Sequence, residues 1–439
     1  MRKSLSLILI GALLLLSACS NSKPTEASST TSQAPAASPE VTAKPEEKKT
    51  LEFWHTYTGE KEKIFNEAIA RFEQKHTDVE VKAVQAANDA YKQKFAVAMS
   101  AGNPPDVFQS WGGGWLEEFV NQGKVLDLSA KIDTNAYEPT VLNNTVISDK
   151  TYGVPLGLTI TLFFYNKDLF NQYGLTAPAT WEEFLNTVDV LRKNKIIPIA
   201  LENQAKWPGA YYLMYLADRI AGPELFQSAS KRTGQGFDDP AYVKAGQLIQ
   251  ELVDHDAFNK GFNSINTTSG QGRQLLYSGQ AGMMLYNTNF VDYVKNESPD
   301  FLDKLDFFPF PTVDGGAGDA SNLNAAASPV WSVSATSEHP DLAVELLKEL
   351  SSTETAQAYS DRISGLVGVK GVDYNDPIAK RLAEYVSKAK SIHWPYDQVL
   401  PPELAEVHKD TTQALFSKTE TPEEAAAKVE AKAKEVFGK

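Results

Sequence analysis

The chain has 439 residues, 42% of them apolar and 22% charged, with a formal net charge of -14. That length exceeds one ordinary hydrophobic core and the apolar content fills two, so two lobes are expected. Lysines and arginines are scattered among the acids, which excludes a phosphate-backbone partner, so no nucleic acid is expected; the single cysteine, Cys19, excludes an intrachain disulfide framework or a cysteine metal site.

Arg2 and Lys3 precede an apolar run from Leu5 to Leu16, too short to span a membrane as a mature helix, and Leu16-Ser17-Ala18-Cys19 closes it with small residues. This pattern resembles the bacterial lipobox. It implies a signal peptide over 1–18 and lipidation of Cys19 as the new N-terminus, with acyl chains such as palmitate anchoring an exported lipoprotein to the outer face of the cytoplasmic membrane. Ser20 to Lys49 is dominated by Ser, Thr, Ala, Pro, Glu and Lys and holds no aromatic, so 19–49 is expected to be a disordered tether. A flexible coil of this length reaches about 30 Å.

Leu51 to His55 predicts a first strand, and Ile64, Phe65, Ala68, Ile69 and Phe72 the apolar stripe of a helix after it. Val79 to Val84 alternates as a second strand, and Tyr91, Phe95 and Met99 mark another helix. Asn103 to Phe119 then carries a short strand, Val107-Phe108, three glycines, and a helix start with Trp115, Leu116 and Phe119 inward. The order βαβαβ predicts an α/β fold with a mainly parallel sheet. Neither a Gly-x-Gly-x-x-Gly fingerprint nor Lys-Ser/Thr follows the glycines, so the loop is read as a ligand loop for an uncharged molecule, with its backbone passing close to it.

Tyr152-Gly153-Val154-Pro155 breaks the pattern and predicts a lobe crossing, with Ile160 to Tyr165 as a new strand. Thr180-Trp181-Glu182-Glu183 is a capping box, Ile196 to Ala200 a buried strand, Asp239-Pro240 a helix start, and Gly282 to Tyr286 a further strand. Pro, Gly and Asp between Pro309 and Gly318 predict a second crossing. Val330 to Val333 is a strand, Ala343, Leu346, Leu347 and Leu350 line a helix, and Thr421 caps the last one. The expected division is 50–155 plus 321–370 for the first lobe and 156–320 plus 371–439 for the second.

With these segments in order, the chain resembles the extracellular solute-binding proteins of carbohydrate ABC importers, in their oligosaccharide-binding lipoprotein branch. The residues that carry the likeness are Leu51 to His55, Pro104 to Gly114, Tyr152 to Asp168, Ala177 to Phe184, Gly282 to Leu285 and Trp394 to Gln398. The resemblance implies a two-lobe periplasmic-binding-protein-like α/β fold, a sugar in the cleft, a membrane permease with a separate ATPase as partners, a monomer, no cofactor, no metal and no catalysis. The alternative, a cell-surface glycoside hydrolase, needs two carboxylates flanking the scissile bond, and nothing among the 56 acids selects a pair.

A neutral sugar offers hydroxyls to groups that donate and accept, and C–H faces to aromatic rings. Asp397, between Tyr396 and Gln398 after a proline break, is suited to accept two adjacent hydroxyls, or else caps the segment after Pro401. Trp207 is placed in a loop as a stacking ring or in the lobe core, and Trp331 on a strand with the same two roles open. His55 and Tyr57 follow the first strand, with Trp54 on the opposite face from His55. Asp106 either binds a hydroxyl or braces its turn. Gln109, Ser110, Trp111 and Gly112 complete the first-lobe set. Where relatives often carry a tryptophan after the Gly-x-Met strand, this chain reads Tyr286-Asn287-Thr288-Asn289, which puts a stacking platform there in doubt and makes Asn287 a candidate.

Overall fold

The computed structural model describes residues 48–438. The leader, Cys19 and the tether as far as residue 47 lie outside the described residues. The first lobe opens with β1 (Lys49–His55), which buries Leu51 and Phe53 on one face and Trp54 on the other. Helix α1 (Gly59–Lys75) turns Ile64, Phe65, Ala68, Ile69 and Phe72 onto the first of these faces; β2 (Val79–Gln85), α2 (Asn88–Ala101), β3 (Val107–Ser110) and α3 (Gly113–Asn121) follow. β1 is parallel to both β2 and β3, as the βαβαβ order requires.

After β4 (Val154–Pro155) the chain enters β5 (Gly157–Asn166), the spine of the second lobe. Helix α4 (Trp181–Lys193), β6 (Ile197–Ile199), α5 (Trp207–Ala221), α6 (Pro240–Asp254), β7 (Ala281–Asn287), α7 (Asn289–Glu297), β8 (Leu305–Phe308) and β9 (Leu323–Ala327) build on it. The capping box of α4 is complete: Thr180 Oγ1 accepts from Glu183 N at 3.3 Å and Glu183 Oε2 from Thr180 N at 3.3 Å. β10 (Val330–Val333), α8 (Pro340–Leu350) and α9 (Thr353–Ile363) return to the first lobe, and β11 (Leu366–Val367), β12 (Ile392–His393), the one-turn α10 (Tyr396–Val399), α11 (Pro402–Ser417) and α12 (Pro422–Phe437) go back to the second.

The first sheet has the order β2-β1-β3-β10-β4 and the second β12-β9-β5-β7-β6, with β8 and β11 also paired to β5. The expectation of a mainly parallel sheet in each lobe needs correction. β10 is antiparallel to β3 and β4, and β5 is antiparallel to β7, β8, β9 and β11 alike. Parallel pairing follows from a helix crossing over within one lobe, whereas β10 and β5 each enter from the other lobe and escape that constraint.

The chain passes between sheets at Leu156, at the Ser328-Pro329 step and after α9. The second passage therefore follows β9, so 323–327 stand in the second sheet, beyond the expected boundary at 320/321. The run Leu323-Asn324-Ala325-Ala326-Ala327 carries little β-branched signal, so the sequence did not announce a strand there. The Pro- and Gly-rich stretch read as the crossing lies against the end of α5: a Cβ at Gly316 would stand 2.1 Å from Arg219 O, and one at Gly318 the same distance from Asp218 O. Among the described residues no helix is long and apolar enough to cross a membrane.

Candidate functional site

The C-terminal ends of β1 and β3 form the first-lobe wall. Gln109 Oε1 accepts from Thr56 N and Thr56 Oγ1, both at 2.9 Å, while Tyr91 Oη donates to Gln109 O at 2.7 Å. Ser110 Oγ pairs with Ser332 Oγ at 3.0 Å. Both residues are buried: the Gln109 amide oxygen ties the loop after β1 to the sheet, and the Ser110 hydroxyl ties β3 to β10. His55 is likewise buried, stacked on Phe53, and its Nδ1 accepts from Tyr57 N at 3.2 Å; burial lowers its pKa to about 4. Tyr57 packs on Phe65, bonds Ser328 Oγ at 3.2 Å, and has its phenol pKa pushed up by burial.

Two expected ligand residues have other work. Asp106 precedes β3, so about 13 Å of strand separates it from the site loop. Its carboxylate accepts from Glu52 N at 2.8 Å and from Ser337 Oγ, bracing the far end of the sheet. Trp331 is fully buried, edge-on to Phe53 and Phe65 at 5.2 and 4.9 Å, and belongs to the first-lobe core.

Trp111 follows β3 with Tyr91 and Trp115 edge-on to it, and the Lys92 ammonium stands 4.7 Å from its ring centroid. The glycines after it do not make room for a ligand. A Cβ at Gly112 would meet Asn144 Nδ2 at 2.4 Å; one at Gly113 would meet Gln398 O at 2.5 Å, and one at Gly114 would meet Val399 O at 2.4 Å. Gln398 and Val399 belong to α10 of the second lobe, so Gly113 and Gly114 let the start of α3 seat against the opposite jaw. Gly114 lies outside the left-handed region, so alanine there adds a steric block without backbone strain. Gly114→Ala is expected to hold the lobes apart and weaken ligand binding at least threefold, with the melting temperature nearly unchanged, in a calorimetric titration beside a thermal melt.

The second-lobe wall gathers around α5 and α10. Trp207 opens α5 and is partly buried, edge-on to Tyr211 at 5.5 Å and to Tyr286 at 5.4 Å. Asn287 Nδ2 donates to Tyr211 Oη at 3.3 Å, and Asn287 Oδ1 accepts from Asn289 N at 3.1 Å. Tyr396 is a core residue: its ring lies on Phe226 at 3.7 Å, and it is 3% exposed. Asp397 and Gln398, the next two residues, differ from Tyr396. Gln398 Oε1 is buried without a hydrogen-bond partner, and the Asp397 carboxylate has neither a hydrogen bond nor an ion pair among the described residues.

Three groups feel the charge of Asp397. Burial lowers the pKa of Lys92 on the first lobe, and Asp397 opposes that shift; burial raises the pKa of the Tyr211 phenol, and Asp397 adds to the rise. Burial lowers His408 to about 4, against the pull of Asp397. Lys92 and Tyr211 were not singled out from sequence. A lysine at a helix position beside Tyr91 reads as a solvated face until the second lobe covers it.

His408 makes stability depend on pH. Its folded pKa, about 4, lies below the ordinary 6.5, so between those values the unfolded chain binds the extra proton. Stability from this group is present above pH 6.5 and is lost as pH falls toward 4, with roughly 1–2 kcal/mol gone by pH 5. Urea midpoints at pH 7 and pH 5 are expected to lie closer together in His408→Gln than in the native chain.

A site of this kind, with aromatic rings beside unengaged hydrogen-bonding groups and two walls on different lobes, suits a small polar ligand enclosed by closure. Among the described residues no cluster of His, Cys, Asp or Glu is arranged to hold a metal ion. The family model of bacterial extracellular solute-binding proteins matches residues 57–357, more than half of the chain. The protein belongs to that family. This solute-binding protein is 24% identical over 342 residues to the multiple sugar-binding protein of Streptococcus mutans, covering 76% of this chain and 79% of that one. A structure solved in a study of xylan utilisation by the thermophilic bacterium Caldanaerobius polysaccharolyticus superposes with a TM-score of 0.83 at 29% identity, covering 87% of this chain and 99% of that one. A chitin oligosaccharide binding protein shares the fold, with a TM-score of 0.82 at 22% identity over 90% of this chain and all of the other. The family of this solute-binding protein is one of binding proteins rather than enzymes.

Proposed function

We propose that this protein is the receptor of a carbohydrate ABC importer: it captures an oligosaccharide between its lobes and delivers it to a membrane permease. The observation that carries this reading is the unsatisfied pair at α10. A buried amide oxygen on Gln398 and an unengaged Asp397 carboxylate want donors, and neighbouring sugar hydroxyls supply them in pairs. Trp207, only partly buried at the start of α5, offers an aromatic face for the sugar's C–H surface. The names of the relatives, a multiple sugar-binding protein and a chitin oligosaccharide binding protein, support the same class of ligand.

Ligand held by both walls favours the closed arrangement, and closure about the three inter-sheet passages gives the permease a shape to recognise. The receptor acts without chemistry on the sugar, as a monomer on the outer face of the cytoplasmic membrane, tethered through lipidated Cys19. A thermal-shift screen against xylo-, chito-, gluco- and galacto-oligosaccharides tests the reading. One class is expected to raise the melting temperature by several degrees and to be recovered intact by chromatography. Cleaved sugar, or no shift with any class, would overturn it.

A further inference from the structure

The lobes also meet away from the glycines. Lys61, in the first turn of α1, is buried, and its only ion-pair partner among the described residues is Asp292 of α7, with Nζ to Oδ2 at 3.6 Å. The same ammonium donates to Asn289 Oδ1 at 2.7 Å. It stands 5.6 Å from the ring centroid of Tyr57 and 5.8 Å from that of Tyr359, so two first-lobe aromatic faces back a cation whose polar partners are both on the second lobe. Asp292, only 5% exposed, has no other ion pair among the described residues.

A buried ammonium is tolerated where charge-assisted hydrogen bonds and ring faces replace its water. For Lys61 those partners are assembled only when α7 lies against α1. The contact continues into the cleft wall: Asn289, which receives the ammonium, donates its backbone N–H to Asn287 Oδ1, and Asn287 Nδ2 donates to Tyr211 Oη. We propose that Lys61 is a positioning residue that latches the second lobe in the closed arrangement and, through Asn289, orients the Asn287 carboxamide; only the second half rests on the sugar-receptor reading. Apparent affinity scales with the fraction of protein already in the binding-competent arrangement, so the latch sets affinity without touching ligand.

The test uses the full chain with Cys19→Ser, Val97→Cys on the exposed face of α2 and Lys193→Cys at the end of α4, spin-labelled so that pulsed dipolar spectroscopy reads the interlobe distance with no sugar present. Lys61→Met is expected to reduce the short-distance population at least threefold, because closure then buries the Asp292 carboxylate without an ion-pair partner, with Asn296 Nδ2 alone donating to it. Lys61→Arg is expected to keep it, and Asn289→Ala to lower it in the same direction. Calorimetry with xylotetraose and chitotetraose is the second arm: Lys61→Met weakens binding by the factor its closed population falls, whereas Asn287→Ala weakens binding without moving the distances. An unchanged distance distribution in folded Lys61→Met overturns the latch, and Asn289→Ala decides it if Lys61→Met does not fold. Should no sugar of the four oligosaccharide classes bind the native chain, the receptor reading fails while the distance arm still judges the latch.

Discussion

Asp397→Ala is expected to weaken oligosaccharide binding by about tenfold to a hundredfold while leaving the thermal melt in place. A hydrogen bond to a charged group contributes about 1.5–3 kcal/mol, which converts to that range in affinity. The fold should not notice the change, because the carboxylate holds no partner of its own chain among the described residues. Asp397→Asn, which keeps one acceptor oxygen, should fall between the two. Calorimetric titration with the sugar that raises the melting temperature measures all three proteins, and native affinity in the alanine variant would remove Asp397 from the site.

The largest loss of stability is expected at Arg219. Its side chain is fully buried at the end of α5, paired with Asp218 and donating to Phe310 O at 3.1 Å, Asn322 O at 3.1 Å and Ala320 O at 3.3 Å. One guanidinium thus ties together the two ends of the Pro- and Gly-rich excursion between β8 and β9. Arg219→Met takes the guanidinium from the buried Asp218 carboxylate, which keeps only Asn322 Nδ2 and the His393 ring beside it, and takes the donor from three carbonyls, at a cost of roughly 3–5 kcal/mol. Asp218→Asn added to it should recover part of that loss by removing the uncompensated charge. Urea unfolding gives both numbers, and a loss under about 1 kcal/mol would show that other contacts hold the excursion.

Which candidate side chains are already engaged by their own chain was not legible in the sequence, for one cause. Gln109, Ser110 and Trp331 lie at strand ends, where ligands of open sheets bind, but whether a strand-end side chain is free depends on what covers it. Ser332 covers Ser110, the Thr56 loop takes up Gln109, and three aromatic rings close over Trp331. Tyr396 and Asp397 are adjacent in a one-turn helix, yet one ring is sealed against Phe226 and the next carboxylate is left open. Residue type and spacing do not separate such neighbours. Trp111 illustrates the same limit, since the cation over its ring comes from α2.

The sequence by itself determined what depends on local periodicity and chemistry. The amphipathic stripes, the capping boxes at Thr180 and Thr421, the parallel β2-β1-β3 unit and the opposite faces of Trp54 and His55 all follow from neighbours a few residues apart. Only the tertiary structure decided what depends on residues hundreds of positions apart meeting across the lobes. It set Gly113 and Gly114 against α10, Lys61 against Asn289 and Asp292, and left Gln398 with a buried, unanswered oxygen. The physical reason is that a glycine, a lysine or a glutamine has the same local propensities whichever surface closes over it, and that surface is supplied by the other lobe.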